Sequence, residues 1–166
     1  MRGYQKFSQR ACLAVVTLLS AACEAGTDAT RVPAPDVASF ELTVYPILLR
    51  DCGFPECHGA RDRFFRVFGP GRARWVETTP TFAAATPEEL EHSYARARSM
   101  LAHEKTVSES WLLRKPLGVA AGGAEHGGDD KWGRNVYESV DAPGYAAIAR
   151  WAKTQSKTPS VDAGVP

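Results

Sequence analysis

The chain has 166 residues, 20 basic against 19 acidic, and a formal net charge of +1. That length gives room for one domain with a single core, and the balanced charge gives no nucleic-acid footprint of the clustered basic kind. The sequence opens on Arg2, Lys6 and Arg10, followed by an apolar run over 11–19 and Ser20-Ala21-Ala22 before Cys23. Basic flank, short apolar run and small-residue exit predict a cleaved secretory signal over residues 1–22. The run is too short for a membrane-spanning helix, which needs about 20 apolar residues. Cleavage takes three basic residues and no acidic one, leaving 17 basic against 19 acidic, a balance without an anionic-membrane footprint. Residues 23–38, small, polar and interrupted by Pro33 and Pro35, read as a flexible tether. Residues 154–166 have the same character and read as a disordered tail, which leaves 39–153 for the folded domain.

Within 39–153 the pattern is all-α. Phe40, Val44, Ile47 and Leu48 recur at helical spacing. Pro46 lies among them and predicts either a kink or a helix restarting with the proline in its first turn. Thr86 and Glu89 make a capping box with Pro87 at the first helical position, ahead of the stripe Leu90, Tyr94, Ala97 and Leu101. A third helix is expected over 143–153, with Tyr145, Ile148, Ala149 and Ala152 on one face and Asp141 as its cap. Glycine-rich loops separate these helices, at Gly69-Pro70-Gly71 and over 118–133. The second is long for a compact domain, and a small helical fold with such loops and a thin core often wraps a ligand.

Leu19-Ser20-Ala21-Ala22-Cys23 resembles a bacterial lipobox, with its leucine one place further from the cysteine than is usual. The resemblance implies lipidation of Cys23 and a membrane-anchored lipoprotein on the periplasmic or cell-envelope side. Ordinary signal-peptidase cleavage near Ala22 or Ala25 is the alternative. Cys12 leaves with the signal, so the mature domain works with Cys52 and Cys57, which an oxidising compartment would not leave free by default.

Those two lie in Cys52-Gly53-Phe54-Pro55-Glu56-Cys57-His58-Gly59. A cysteine directly followed by histidine, with a second cysteine upstream, is the pattern of covalent c-type haem attachment. Here four residues separate the cysteines where two are usual, and Gly53 and Pro55 favour a tight turn that absorbs the extra length. Phe40 through Gly59 resembles the first helix and haem motif of small bacterial cytochrome c domains of the planctomycete type. Leu112-Leu113-Arg114-Lys115-Pro116, then His126-Gly127-Gly128, then Pro143-Gly144-Tyr145 running to Trp151, are similar to that type's closing pattern.

The resemblance covers both ends of the domain, and the middle matches loosely. It implies a small cytochrome c-like fold carrying one haem c, with its iron, between the first and last helices. Cys52 and Cys57 would be the covalent attachments, His58 the proximal ligand and His126 the distal one, with Met100 as its rival. The implied activity is electron transfer with a redox partner protein. Phe64, Phe65, Phe68 and Trp132 are candidates for the pocket wall or for an ordinary core. Arg114 and Lys115 are either propionate partners or a solvated pair.

Two other readings of the same residues stay open. In one, a Cys52–Cys57 disulfide staples a haem-free extracellular binding or structural domain. In the other, Cys52, Cys57, His58 and a distant histidine hold zinc. An enzyme is not expected: Glu88-Glu89 and Asp129-Asp130 are adjacent pairs better read as a helix N-terminus and a solvated loop.

Overall fold

In the computed structural model the described residues are 32–126 and 136–154. The signal sequence, Cys23, most of the tether, Trp132, the Asp129-Asp130 pair and the tail beyond Thr154 lie outside them. The architecture is all-α, with long irregular connections. Among the described residues no helix is long and apolar enough to cross a membrane.

Pro46 shapes the first helix. Helix α1 is assembled from three consecutive segments: an α-helical Val37–Ser39, a π-helical Phe40–Val44 and an α-helical Tyr45–Asp51. A proline has no N–H to give to the carbonyl four residues back. The ladder widens just before it, so that the Tyr45 N–H reaches the Phe40 carbonyl five residues back. Pro46 then falls in the first turn of the last segment, and the helix restarts there. Phe40, Val44 and Leu48 are fully buried on one side, as their spacing predicts.

The chain is built into the fold ahead of the expected boundary at Ser39. Asp36 caps α1 by accepting from the Ser39 N–H at 2.7 Å, and its own carbonyl accepts from the Trp151 indole at 2.9 Å. Tyr94 donates to the Pro35 carbonyl at 2.8 Å and Arg98 to that of Pro33 at 2.8 Å. The C-terminal part of the predicted tether is therefore packed against helices.

Helix α2, Pro87–Ser99, starts with the predicted capping box: Thr86 accepts from Glu89 N, and the Glu89 carboxylate accepts from Thr86 N. Of the predicted stripe, Ala97 and Leu101 are fully buried, whereas Leu90 and Tyr94 are only half-buried and Glu89 and Ser93 are turned inward beside them. Polar contacts hold these two there. Arg74, itself buried, meets Glu89 with two hydrogen bonds of 2.8 and 2.7 Å, and Ser93 Oγ accepts from Phe68 N at 3.1 Å.

Two further helices complete the set, α3 at Trp111–Arg114 and α4 at Pro143–Ala152. Ala142 occupies the N-cap of α4 without a side-chain bond; Asp141 sits one residue too early to cap it. Helices α1, α2 and α4 meet on Phe40, whose ring lies 5.4 Å from that of Tyr94 and 5.3 Å from that of Trp151. The long glycine-rich loop is pinned at both ends: Gly118 N donates to the Tyr137 carbonyl at 2.8 Å and Tyr137 N to that of Pro116 at 2.9 Å.

Candidate functional site

The segment after α1 folds back on itself. Cys57 N donates to the Phe54 carbonyl at 2.8 Å, closing a turn with Pro55 in its second position, where its fixed φ belongs. His58 N then donates to the Cys52 carbonyl at 3.0 Å. The four residues between the cysteines are thus absorbed in a loop whose two ends touch. Gly59 makes the closure feasible, because a Cβ there would collide with the Gly53 carbonyl and come within 2.9 Å of that of Phe54.

This loop forms one wall of a chiefly apolar cavity of about 1030 Å³. Cys52, Cys57, His58, His126 and Met100 all line it, so the fold gathers every described candidate ligand around one space. Leu48, Phe65, Leu112 and Ile148 supply apolar wall. Phe64 lines the cavity while remaining 72% exposed, which places it at the mouth. For Phe68 the second of the two expectations holds: it is buried away from the cavity, edge-on to Trp75 at 5.5 Å.

The His58 imidazole is held by the backbone. Its Nδ1 lies 3.0 Å from the Phe65 carbonyl. A hydrogen donated there fixes the tautomer and leaves Nε2 with its lone pair, the usual support of a metal-binding histidine. Burial, the largest influence, holds His58 below its ordinary value of 6.5, against the pull of the Phe65 carbonyl toward the charged form. Burial thus favours the neutral form of the ring.

His126 comes from the glycine-rich loop, and that loop is not free at this point. Gly123 N donates to the Gly118 carbonyl at 3.1 Å, Ala124 N to that of Arg114 at 2.9 Å, and Lys115 Nζ to that of Glu125 at 2.7 Å. A Cβ on Gly123 would overlap the Leu117 carbonyl, so the close approach needs glycine. The outcome is a His126 ring centred 5.8 Å from that of His58, with 46° between the planes.

No family model, curated protein or solved structure matches the chain. The site has therefore to be read from its own chemistry. Among the described residues no three His, Cys, Asp or Glu side chains converge on one point as an ion ligand set.

The cysteines differ from one another. Cys52 is buried, and burial pushes its thiol up to about 12; Cys57 is half-buried. Both are free thiols.

Some cavity residues escaped the sequence reading. Arg63 lines the cavity, and so do Asp51 and Tyr137, joined by a 2.7 Å hydrogen bond from the tyrosine hydroxyl. Arg50 adds two contacts to the same carboxylate, at 2.6 and 2.8 Å. No motif marks these positions. Their signal exists only once α1 and the segment before α4 are side by side. Lys115 lines the cavity, whereas Arg114 points its wall contact at a different groove.

Proposed function

We propose that the chain is an exported, lipid-anchored c-type cytochrome domain that transfers electrons through a single haem. The observation that carries this reading is the His58–His126 ring separation of 5.8 Å inside a cavity whose wall also holds Cys52 and Cys57. The cavity volume stands at the upper end of the range for cofactor pockets, about 300–1,000 Å³. Cys52 and Cys57 would hold the haem covalently, and His58 and His126 would take the two axial positions. Bound there, the haem would supply a one-electron iron couple.

The chain's own residues do the rest. The Phe65 carbonyl orients His58, and the bonds from Gly123, Ala124 and Lys115 hold the His126 segment. Leu48, Phe65, Leu112 and Ile148 keep water from the site, which sets the local dielectric on which a redox potential depends. Arg63 and Lys115 offer positive charge to the haem carboxylates. Met100 lines the same cavity and stays the rival to His126. Export through the signal sequence would put the domain on the periplasmic side, where a partner protein would exchange electrons with it.

Absorption spectra test this directly, on protein made in a host with haem-maturation machinery. The expected result is coloured, low-spin protein whose haem stain survives denaturation and is lost in Cys57→Ser. His126→Ala should move the ferric spectrum to a high-spin form, while Met100→Ala leaves it low-spin. Colourless protein, or a non-reduced peptide two hydrogens short at Cys52 and Cys57, would overturn the proposal in favour of a disulfide.

A further inference from the structure

We propose that the C-terminal half of α4 and the last turn of α3 form a face that rests on the anionic headgroups of a phospholipid bilayer. The inference rests on the export and anchoring reading above and adds the surface through which the anchored domain meets its membrane.

Arg114, Arg150 and Lys153 converge on a groove of about 660 Å³. Its remaining lining is mostly apolar, including Leu113, Leu117 and Tyr145, and among the described residues no carboxylate lines it. None of the three cations is held in an ion pair among the described residues. Arg150 and Lys153 sit at the end of α4, where positive charge also complements the helix dipole. That effect does not account for Arg114, which reaches the groove from a different helix, nor for the apolar floor between them. An apolar floor ringed by unpaired cations is complementary to phosphate headgroups above acyl chains. The near-neutral balance of the whole chain conceals the patch, because residues 114, 150 and 153 come together only in the fold.

The tether joins the fold at this end of the molecule. The chain enters beside the last turn of α4: Trp151 donates to the Asp36 carbonyl at 2.9 Å, and Asp36 N donates to Thr154 Oγ1 at 3.1 Å. Twelve residues separate Cys23 from Asp36, a span of at most about 47 Å. An acylated Cys23 would keep the end of α4 within that reach of the bilayer. The cavity and the groove share α4 but not its residues: Pro143, Gly144 and Ile148 line the cavity, and Tyr145, Ala146, Ala149 and Arg150 line the groove.

The test is vesicle co-sedimentation of the exported chain carrying Cys23→Ser, which keeps acyl chains from contributing. Vesicles are phosphatidylcholine alone or with one third phosphatidylglycerol, at low and raised salt. We expect binding only to the anionic vesicles, lost on raising salt, and weakened about fivefold by each of Arg114→Gln, Arg150→Gln and Lys153→Gln. Lys105→Gln, on an exposed loop away from the groove, should bind as the parent does. Equal binding to both vesicle types, no binding, or indifference to the three substitutions would overturn the proposal. So would equally tight binding of inorganic phosphate in free solution, which would mark a small-anion site. The salt response of the Cys23→Ser parent, which retains all three cations, decides the matter even where a groove variant fails to fold. The N-terminal mass of the chain with Cys23 intact reads acylation separately, so a failure of anchoring is distinguishable from a failure of the face.

Discussion

His58 is constrained from two directions before any ligand is considered: its backbone N–H is bonded to Cys52, and its Nδ1 faces the Phe65 carbonyl. The two cysteines beside it are unlike in reactivity. The thiolate is the nucleophile, and a thiol held near 12 by burial is almost entirely protonated at neutral pH, whereas Cys57 is within reach of solvent. In haem-free, reduced chain, iodoacetamide should label Cys57 at least about a hundredfold faster than Cys52 by this difference in thiolate and access. Peptide mass against time measures it; equal rates would show that Cys52 is not shielded as described. Gly59 belongs to the same scale. Gly59→Ala should break the closure of the loop and release the hydrogen bond of His58 N to Cys52, with haem retention falling alongside. The Cys-His-Gly triplet was legible in the sequence because its members are chain neighbours with a chemical signature. Arg63, Tyr137 and Asp51 were not, since a lone arginine, tyrosine or aspartate carries no such signature until the fold assembles them.

The helices show where sequence periodicity succeeds and where polar burial overrides it. Caps are local, so the Thr86–Glu89 box and the placement of Pro46 and Pro87 follow from nearest-neighbour chemistry. The face that α2 buries is not local, because Glu89 turns inward to meet Arg74, which also donates to the Pro80, Ala83 and Ala84 carbonyls. Breaking one side of a buried pair strands the other charge, and Glu89→Gln should cost about 3–5 kcal/mol in urea unfolding. Replacing both by apolar residues, as in Arg74→Met with Glu89→Leu, should cost less than either single change. The acid side of stability follows with a definite sign. Burial would raise Glu89, but Arg74 and the N–H groups of Trp75 and Thr86 outweigh it and hold the carboxyl below its ordinary 4.5. A folded value below the unfolded one contributes stability fully above about pH 4.5, lost as pH falls through the folded value. Unfolding midpoints of the parent should therefore drop on acidification below pH 4.5, and those of Glu89→Gln should drop less. An equal acid response in both would remove Glu89 from the account.

At the scale of the whole molecule, the cavity joins two parts that otherwise have little in common. His58 belongs to the loop after α1, and His126 to a loop pinned between Pro116 and Tyr137 and tied back to α3. The Arg74–Glu89 pair with its carbonyl contacts stabilises a separate region around α2, away from the cavity wall. A group bound to both histidines would bridge the two loops, whose rings lie 5.8 Å apart beside the cavity. Binding to the native state alone adds stability, and it adds most to the segments that the ligand ties together. Haem-loaded protein should thus protect the amides of 52–66 and 111–126 strongly from hydrogen exchange. The haem-free His58→Gly chain should lose that protection by at least about tenfold, with α2 and the Arg74 segment nearly unchanged. Uniform loss across the chain would mean that the cavity walls and α2 open as one unit. No loss at all would mean that the histidines face each other for structural reasons, and that nothing needs to sit between them.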